Sequence, residues 1–171
     1  MKFLAGLVLG IALPFIAGYL FVISGRMPVA TKGPPLPLER FLASKAKHAA
    51  IDPAMGTPSP LPADEPNFLA GAKIYTAQCA VCHGHLGQKS PNIGNAMFPK
   101  APQLLTADDF VTGNNDPVGK IHWKVKYGIR LTGMPGFEDT LTETEMWQVT
   151  QLLHHADKLP DPVQDALRKR E

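Results

Sequence analysis

Five consecutive residues, Cys79-Ala80-Val81-Cys82-His83, constrain this 171-residue chain more than any other feature, because they hold both of its cysteines. Two thiols three positions apart, with a histidine immediately after, make a poor disulfide, so no covalent link between distant segments stabilises the fold. A zinc site needs further Cys or His ligands at regular spacing, and there is no third cysteine. A thioredoxin-like redox pair would leave the adjacent histidine without a role. One chemistry uses all three side chains. Two thiols at the end of a helix add to the two vinyl groups of one porphyrin, and the next residue turns its imidazole to the iron. The chain is therefore expected to carry one covalent haem c, with Cys79 and Cys82 as thioethers and His83 as the proximal iron ligand.

The second constraint lies at the N-terminus. Phe3 to Ile23 contains no charge, and at about 1.5 Å per helical residue it is long enough to cross a hydrocarbon core of about 30 Å. A cleaved signal has an apolar run of roughly 7 to 15 residues, so this length favours a retained transmembrane anchor at 1–25, or an uncleaved signal. Val22-Ile23-Ser24 before Gly25 remains a passable cleavage site. Pro14 removes one backbone donor in mid-span and is expected to kink the helix without preventing the crossing. Lys2 precedes the span, whereas Arg26, Lys32, Arg40, Lys45 and Lys47 follow it, so the distribution of positive charge does not orient the helix. Haem attachment does, because it takes place on the translocated side. The expected location is a single pass through the inner membrane with the haem domain in the periplasm.

Nine of the 17 prolines fall between Met27 and Pro66, which predicts an extended linker over 26–65 with one short helix at Leu38 to Ile51. Helical periodicity marks a folded domain at 66–156, followed by a tail at 157–171 in which Asp161-Pro162 opens a short helix. Within the domain a first helix runs from Pro66 to Gln78 and delivers Cys79 at its end. A second piece starts at Ala107. A third starts at Asp116-Pro117, read as an N-cap and first-turn proline, with Val118, Ile121, His122 and Val125 on one stripe. The last opens on the capping box Thr142-Glu143-Thr144-Glu145 and continues through Met146, Val149, Leu152 and Leu153. No alternating segment argues for a sheet, so the fold class is all-α, with about four helices around one haem.

These residues resemble a class I monohaem cytochrome c in a membrane-anchored bacterial form. Gly71 and Tyr75, eight and four residues before Cys79, match the small and aromatic positions of the family's first helix. The resemblance implies that Gly71 lets that helix cross the C-terminal one closely, against Trp147 or alternatively Leu152. Ala101-Pro102-Gln103-Leu104 is similar to the family's Pro-x-Leu element, which makes the Pro102 carbonyl the acceptor for the proximal imidazole, with Pro99 as the competing choice. Thr132-Gly133-Met134-Pro135-Gly136-Phe137 resembles the family's methionine loop and makes Met134 the distal iron ligand. Met97 is the rival methionine, and His122 would supply a bis-histidine alternative.

Histidine and methionine together imply a low-spin, six-coordinate iron suited to cycling one electron, so the expected function is electron transfer without turnover of a bound substrate. The alternative is a haem enzyme or gas sensor with an open sixth position. The expected partner is a redox protein or membrane respiratory complex. A formal charge of +2 gives no footprint for nucleic acid. Lys120, Lys124, Lys126 and Arg130 form either a solvated helix face or a docking patch for an acidic rim.

Overall fold

The computed structural model describes residues 2–105 and 116–168. Every regular element among them is helical: α1 (Lys2–Ile23), α2 (Glu39–Ile51), α3 (Glu65–Ile74), α4 (Ala80–His83), α5 (Asn92–Ala96), α6 (Val118–Tyr127), α7 (Glu143–His154) and α8 (Asp161–Leu167), with a short 3-10 helix at Asp52–Gly56 and a π-turn at Tyr75–Cys79. The helix expected from Ala107 lies outside the described residues. The chain divides into two compact units, Met1–Arg40 and Phe41–Glu171.

The first unit is dominated by α1, which contains Pro14, has no buried residue and is long and apolar enough to cross a membrane. The second is built on α3 and α7. Asp64 caps α3 by accepting from the Asn67 amide at 3.1 Å, and Pro66 sits in the first turn, where its missing N–H costs nothing. Thr142 and Glu145 close the capping box of α7 as the sequence predicts. The apolar faces of the two helices, Phe68 and Ala72 on one and Met146, Val149, Leu152 and Leu153 on the other, share one core with Tyr75, just beyond α3, and with Ile121 and Val125 of α6.

The domain is larger than 66–156. On the N-terminal side the proline-rich segment is expected to be free linker, yet its second half packs on the domain. Ile51 is buried, Asp52 pairs with Lys120 at 2.7 Å, and Gln151 donates to the Leu61 carbonyl at 2.8 Å. Only glycine fits at position 119, because Thr57 O lies 2.8 Å from where a Cβ would be. Proline-rich composition signals a missing helix, but it says nothing against packing when neighbouring side chains satisfy the strap's carbonyls. On the C-terminal side, α8 is core rather than tail. Val163 and Leu167 are fully buried, α8 lies against α3, and the Leu86 amide donates to the Leu167 carbonyl at 3.3 Å.

Candidate haem site

The attachment motif sits on a helix that does not stop where the sequence suggests. After α3 the backbone widens into one π-turn, Tyr75–Cys79, and continues directly into α4, so Cys79, Cys82 and His83 all lie on helical backbone. A π-turn inserts one residue into the helical ladder and re-aims the side chains beyond it, a geometry common at functional sites. Gly84 then ends the helix with φ +84°. Tyr75 reaches past the motif from one turn before it, and its buried hydroxyl donates to the Gly84 carbonyl at 2.8 Å. The aromatic position thereby fixes the backbone on the far side of His83.

His83 Nδ1 donates to the Pro102 carbonyl at 2.6 Å. That bond commits the proton to Nδ1 and leaves the lone pair of the other nitrogen, Nε2, free for a metal. Burial holds the His83 pKa below its ordinary value, and the Pro102 contact only partly opposes this, so the ring is a neutral ligand at pH 7. Cys79 responds in the opposite sense to a redox or zinc-binding cysteine. Burial, and secondarily the neighbouring Cys82, pushes its thiol up to about 12, whereas a nucleophilic or metal-bound thiolate needs a depressed value. Among the described residues no three His, Cys, Asp or Glu side chains cluster as metal ligands.

Gly71 is buried at the crossing of α3 and α7. A Cβ there would fall on the Gln148 carbonyl, 2.8 Å from its carbon and 3.1 Å from the Leu152 Cβ. The residues opposite Gly71 are therefore Gln148 and Leu152, and not Trp147. One residue along an α-helix is a rotation of about 100°, and this turns Trp147 toward α6. There it stacks on His122, with ring centroids 3.8 Å apart and planes 9° from parallel, and donates to Glu143 at 3.1 Å.

The Met134 loop folds back on the end of α6. Gly128 and Gly136 cross so closely that a Cβ on Gly128 would lie 2.5 Å from the Gly136 nitrogen. Ile129 N–H donates to the Met134 carbonyl at 3.2 Å, and Met134 N–H donates to Thr132 Oγ1 at 3.1 Å. Met134 is half-buried. The structure thus brings Cys79, Cys82, His83, Tyr75 and Pro102 into one bonded unit, while Met134 lies on a separate loop.

Three of the four cations near this loop are already paired: Lys120 with Asp52, Lys124 with Asp116 and Lys126 with Glu143. All three lysine side chains are half-buried and paired within the domain, which fits neither a solvated face nor an open docking patch.

The family described as cytochrome c oxidase, cbb3-type, subunit III, matches residues 66–153, just over half of the chain. The chain belongs to that family. It is a class I c-type cytochrome with covalently bound haem c, and its domain carries out haem-based electron transfer. Comparisons with curated proteins and with solved structures give no match. The residues fit the group, since a His83 with its proton fixed on Nδ1 and two unbridged cysteines one helical turn apart are the donor set that haem c requires. One position that holds this cytochrome together carries no signal of its own in the sequence: Gly94, packed on the Cys82 backbone.

His122 is expected to make the α6–α7 contact pH-sensitive. Desolvation lowers its pKa and outweighs the attraction of Glu143, whose Oε1 lies 3.1 Å from His122 Nε2 without hydrogen-bond alignment. Glu143 is lowered too, chiefly by Lys126. Both groups have folded values below their unfolded ones, so their stabilisation is complete above an unfolded pKa of about 6.5 and is lost on acidification, His122 first. The thermal midpoint is expected to fall between about pH 7.5 and about pH 5.5, and a His122→Phe variant, which keeps the stacking and loses the titration, should show a flatter dependence. An equal slope in both proteins would exclude His122 as the source.

Proposed function

We propose that this chain is a membrane-tethered electron carrier in which Cys79 and Cys82 bind haem c as thioethers, His83 is the proximal ligand and Met134 the distal one. The single observation that carries this reading is the 2.6 Å bond from His83 to Pro102, which presents Nε2 as a neutral, oriented ligand. The bound haem supplies one-electron chemistry between Fe(III) and Fe(II). The protein's part is to keep two ligands in place in both states, so that little reorganisation accompanies the electron, and a thioether opposite an imidazole raises the potential relative to two imidazoles. Tyr75 and Pro102 restrain the proximal side; Gly128 and Gly136 give the Met134 loop a fixed base.

The apolar α1 supports a retained anchor in the inner membrane, and haem attachment on the translocated side supports a periplasmic domain. The donor and acceptor are then a redox protein or a membrane respiratory complex, and the family's association with a terminal oxidase makes a subunit role in such a complex the favoured form. The chain itself carries electrons and turns over no substrate.

The oxidised full-length protein is expected to show the iron-to-methionine-sulfur charge-transfer band in the far red. Met134→Ala should abolish that band and let the ferrous protein bind carbon monoxide, which the wild type should resist. A wild-type protein that is high-spin and binds carbon monoxide readily would overturn the carrier reading in favour of a haem enzyme or gas sensor. Protease accessibility in right-side-out and inverted vesicles tests the topology, with cleavage in the segment between α1 and α2 expected only from the periplasmic side.

A further inference from the structure

We propose that Met97 is a positioning residue for the distal ligand: with α5 it braces the Met134 loop against the attachment helix. The proposal rests on the reading of Met134 as the ligand. At one end, α5 is locked to the attachment motif. A Cβ on Gly94 would lie on the Cys82 carbonyl, 3.1 Å from its carbon and 3.3 Å from the Ala101 side chain, so only glycine permits this approach. Ala101 N–H donates to the Gly94 carbonyl at 3.0 Å, tying the same turn to the residue before Pro102. At the other end, Met97 leaves α5 on extended backbone, with φ −76° and ψ 158°. Its half-buried side chain lies across Gly133, where an added Cβ would meet Cε at 2.9 Å and Cγ at 3.2 Å, with the sulfur nearer still.

The loop needs such a contact. Its own hydrogen bonds and the Gly128–Gly136 crossing hold it from the α6 side, but its outer arc is bare, and Leu131 is 94% exposed with φ +61°. Met97 approaches from the attachment side and touches the residue immediately before Met134. A flexible thioether suits a notch made by a missing side chain, because it fills irregular space at little rotamer cost. The contacts thus run from the Cys82 carbonyl through Gly94 and Met97 to Gly133 and Met134, joining the covalent attachment to the distal ligand. Met97 acts here through packing on Gly133, which distinguishes it from the rival ligand that its residue type alone suggests.

The test is an imidazole titration of the oxidised, haem-loaded full-length protein, read as loss of the charge-transfer band. Imidazole captures the state in which Met134 has left the iron, so its apparent affinity reports how often the loop opens. Met97→Ala is expected to bind imidazole about tenfold more tightly and Met97→Leu within about twofold of wild type. Val149→Ala, a fully buried core substitution in α7, should lower the denaturation midpoint and leave imidazole affinity unchanged. Unchanged affinity in Met97→Ala overturns the brace. Loss of the band in Met97→Leu before any imidazole is added also overturns it, because the sulfur would then be the ligand. A wild-type protein without the band overturns the Met134 reading, and the brace with it.

Discussion

Replacing Gly71 by alanine is expected to destabilise the haem domain by about 2–3 kcal/mol, although alanine is the better helix former. Two effects of opposite sign compete. Alanine gains about 1 kcal/mol of intrinsic propensity at an interior helical position. Against that, its methyl would fall on the Gln148 carbonyl of α7, a backbone group that cannot rotate away, and crowd the Leu152 Cβ at 3.1 Å. Overpacking a well-filled interior costs about 1–3 kcal/mol and more where the obstacle is rigid, and this crossing joins two helices that share the main core. The steric effect wins. Gly71→Leu should leave no folded domain, since such domains are stable by only about 5–15 kcal/mol in total. Truncating the Gln148 side chain should not rescue either variant, because the obstacle is its backbone. Denaturant unfolding of the three proteins checks this, and a Gly71→Ala variant as stable as wild type would mean that the helices separate freely at the crossing.

What the sequence reveals depends on how local the cause is. The attachment motif and the capping box at Thr142 are legible because each is a chemical requirement satisfied within a few residues. The crossing at Gly71 is legible as a need for a small residue, but its partner is not. Whether Trp147 or Leu152 faces the glycine is decided by the rotation of α7 about its axis, which the helical stripe fixes only to within one residue. The π-turn at Tyr75–Cys79 is invisible for a related reason: no residue type demands it. Domain limits fail most. Prolines from 53 to 62 argue against a helix and charges in the last fifteen residues argue against a core, but both stretches find partners in α6, α7 and α3 that no local signal names.

The C-terminal one of these two segments has the larger consequence. Ending the chain at Pro160 is expected to cost about 4 kcal/mol or more, enough to remove much of the stability of a domain this size. Val163 and Leu167 are both fully buried in the main core, and burying one such side chain contributes roughly 1.5–3 kcal/mol, with the cavity left behind adding to the loss. Leu167→Ala alone should cost about 3 kcal/mol, which keeps the prediction measurable if the truncated chain does not fold. The effect should reach the haem site through the backbone. The segment after His83 is held at three points: Gly84 by Tyr75, Leu86 by the Leu167 carbonyl, and the Gln88 carbonyl by the Gln103 side chain at 2.6 Å. Losing the middle tether while the outer two remain should leave the His83–Pro102 bond formed but its flank looser. Leu167→Ala keeps the tethering carbonyl but removes the buried side chain that seats the end of α8, so amide exchange at Leu86 and its neighbours is expected to accelerate in this variant more than exchange in α6 does, with the proximal histidine still bound to iron. Equal acceleration in both regions would mean that α8 contributes only to global stability and has no part in restraining the proximal side.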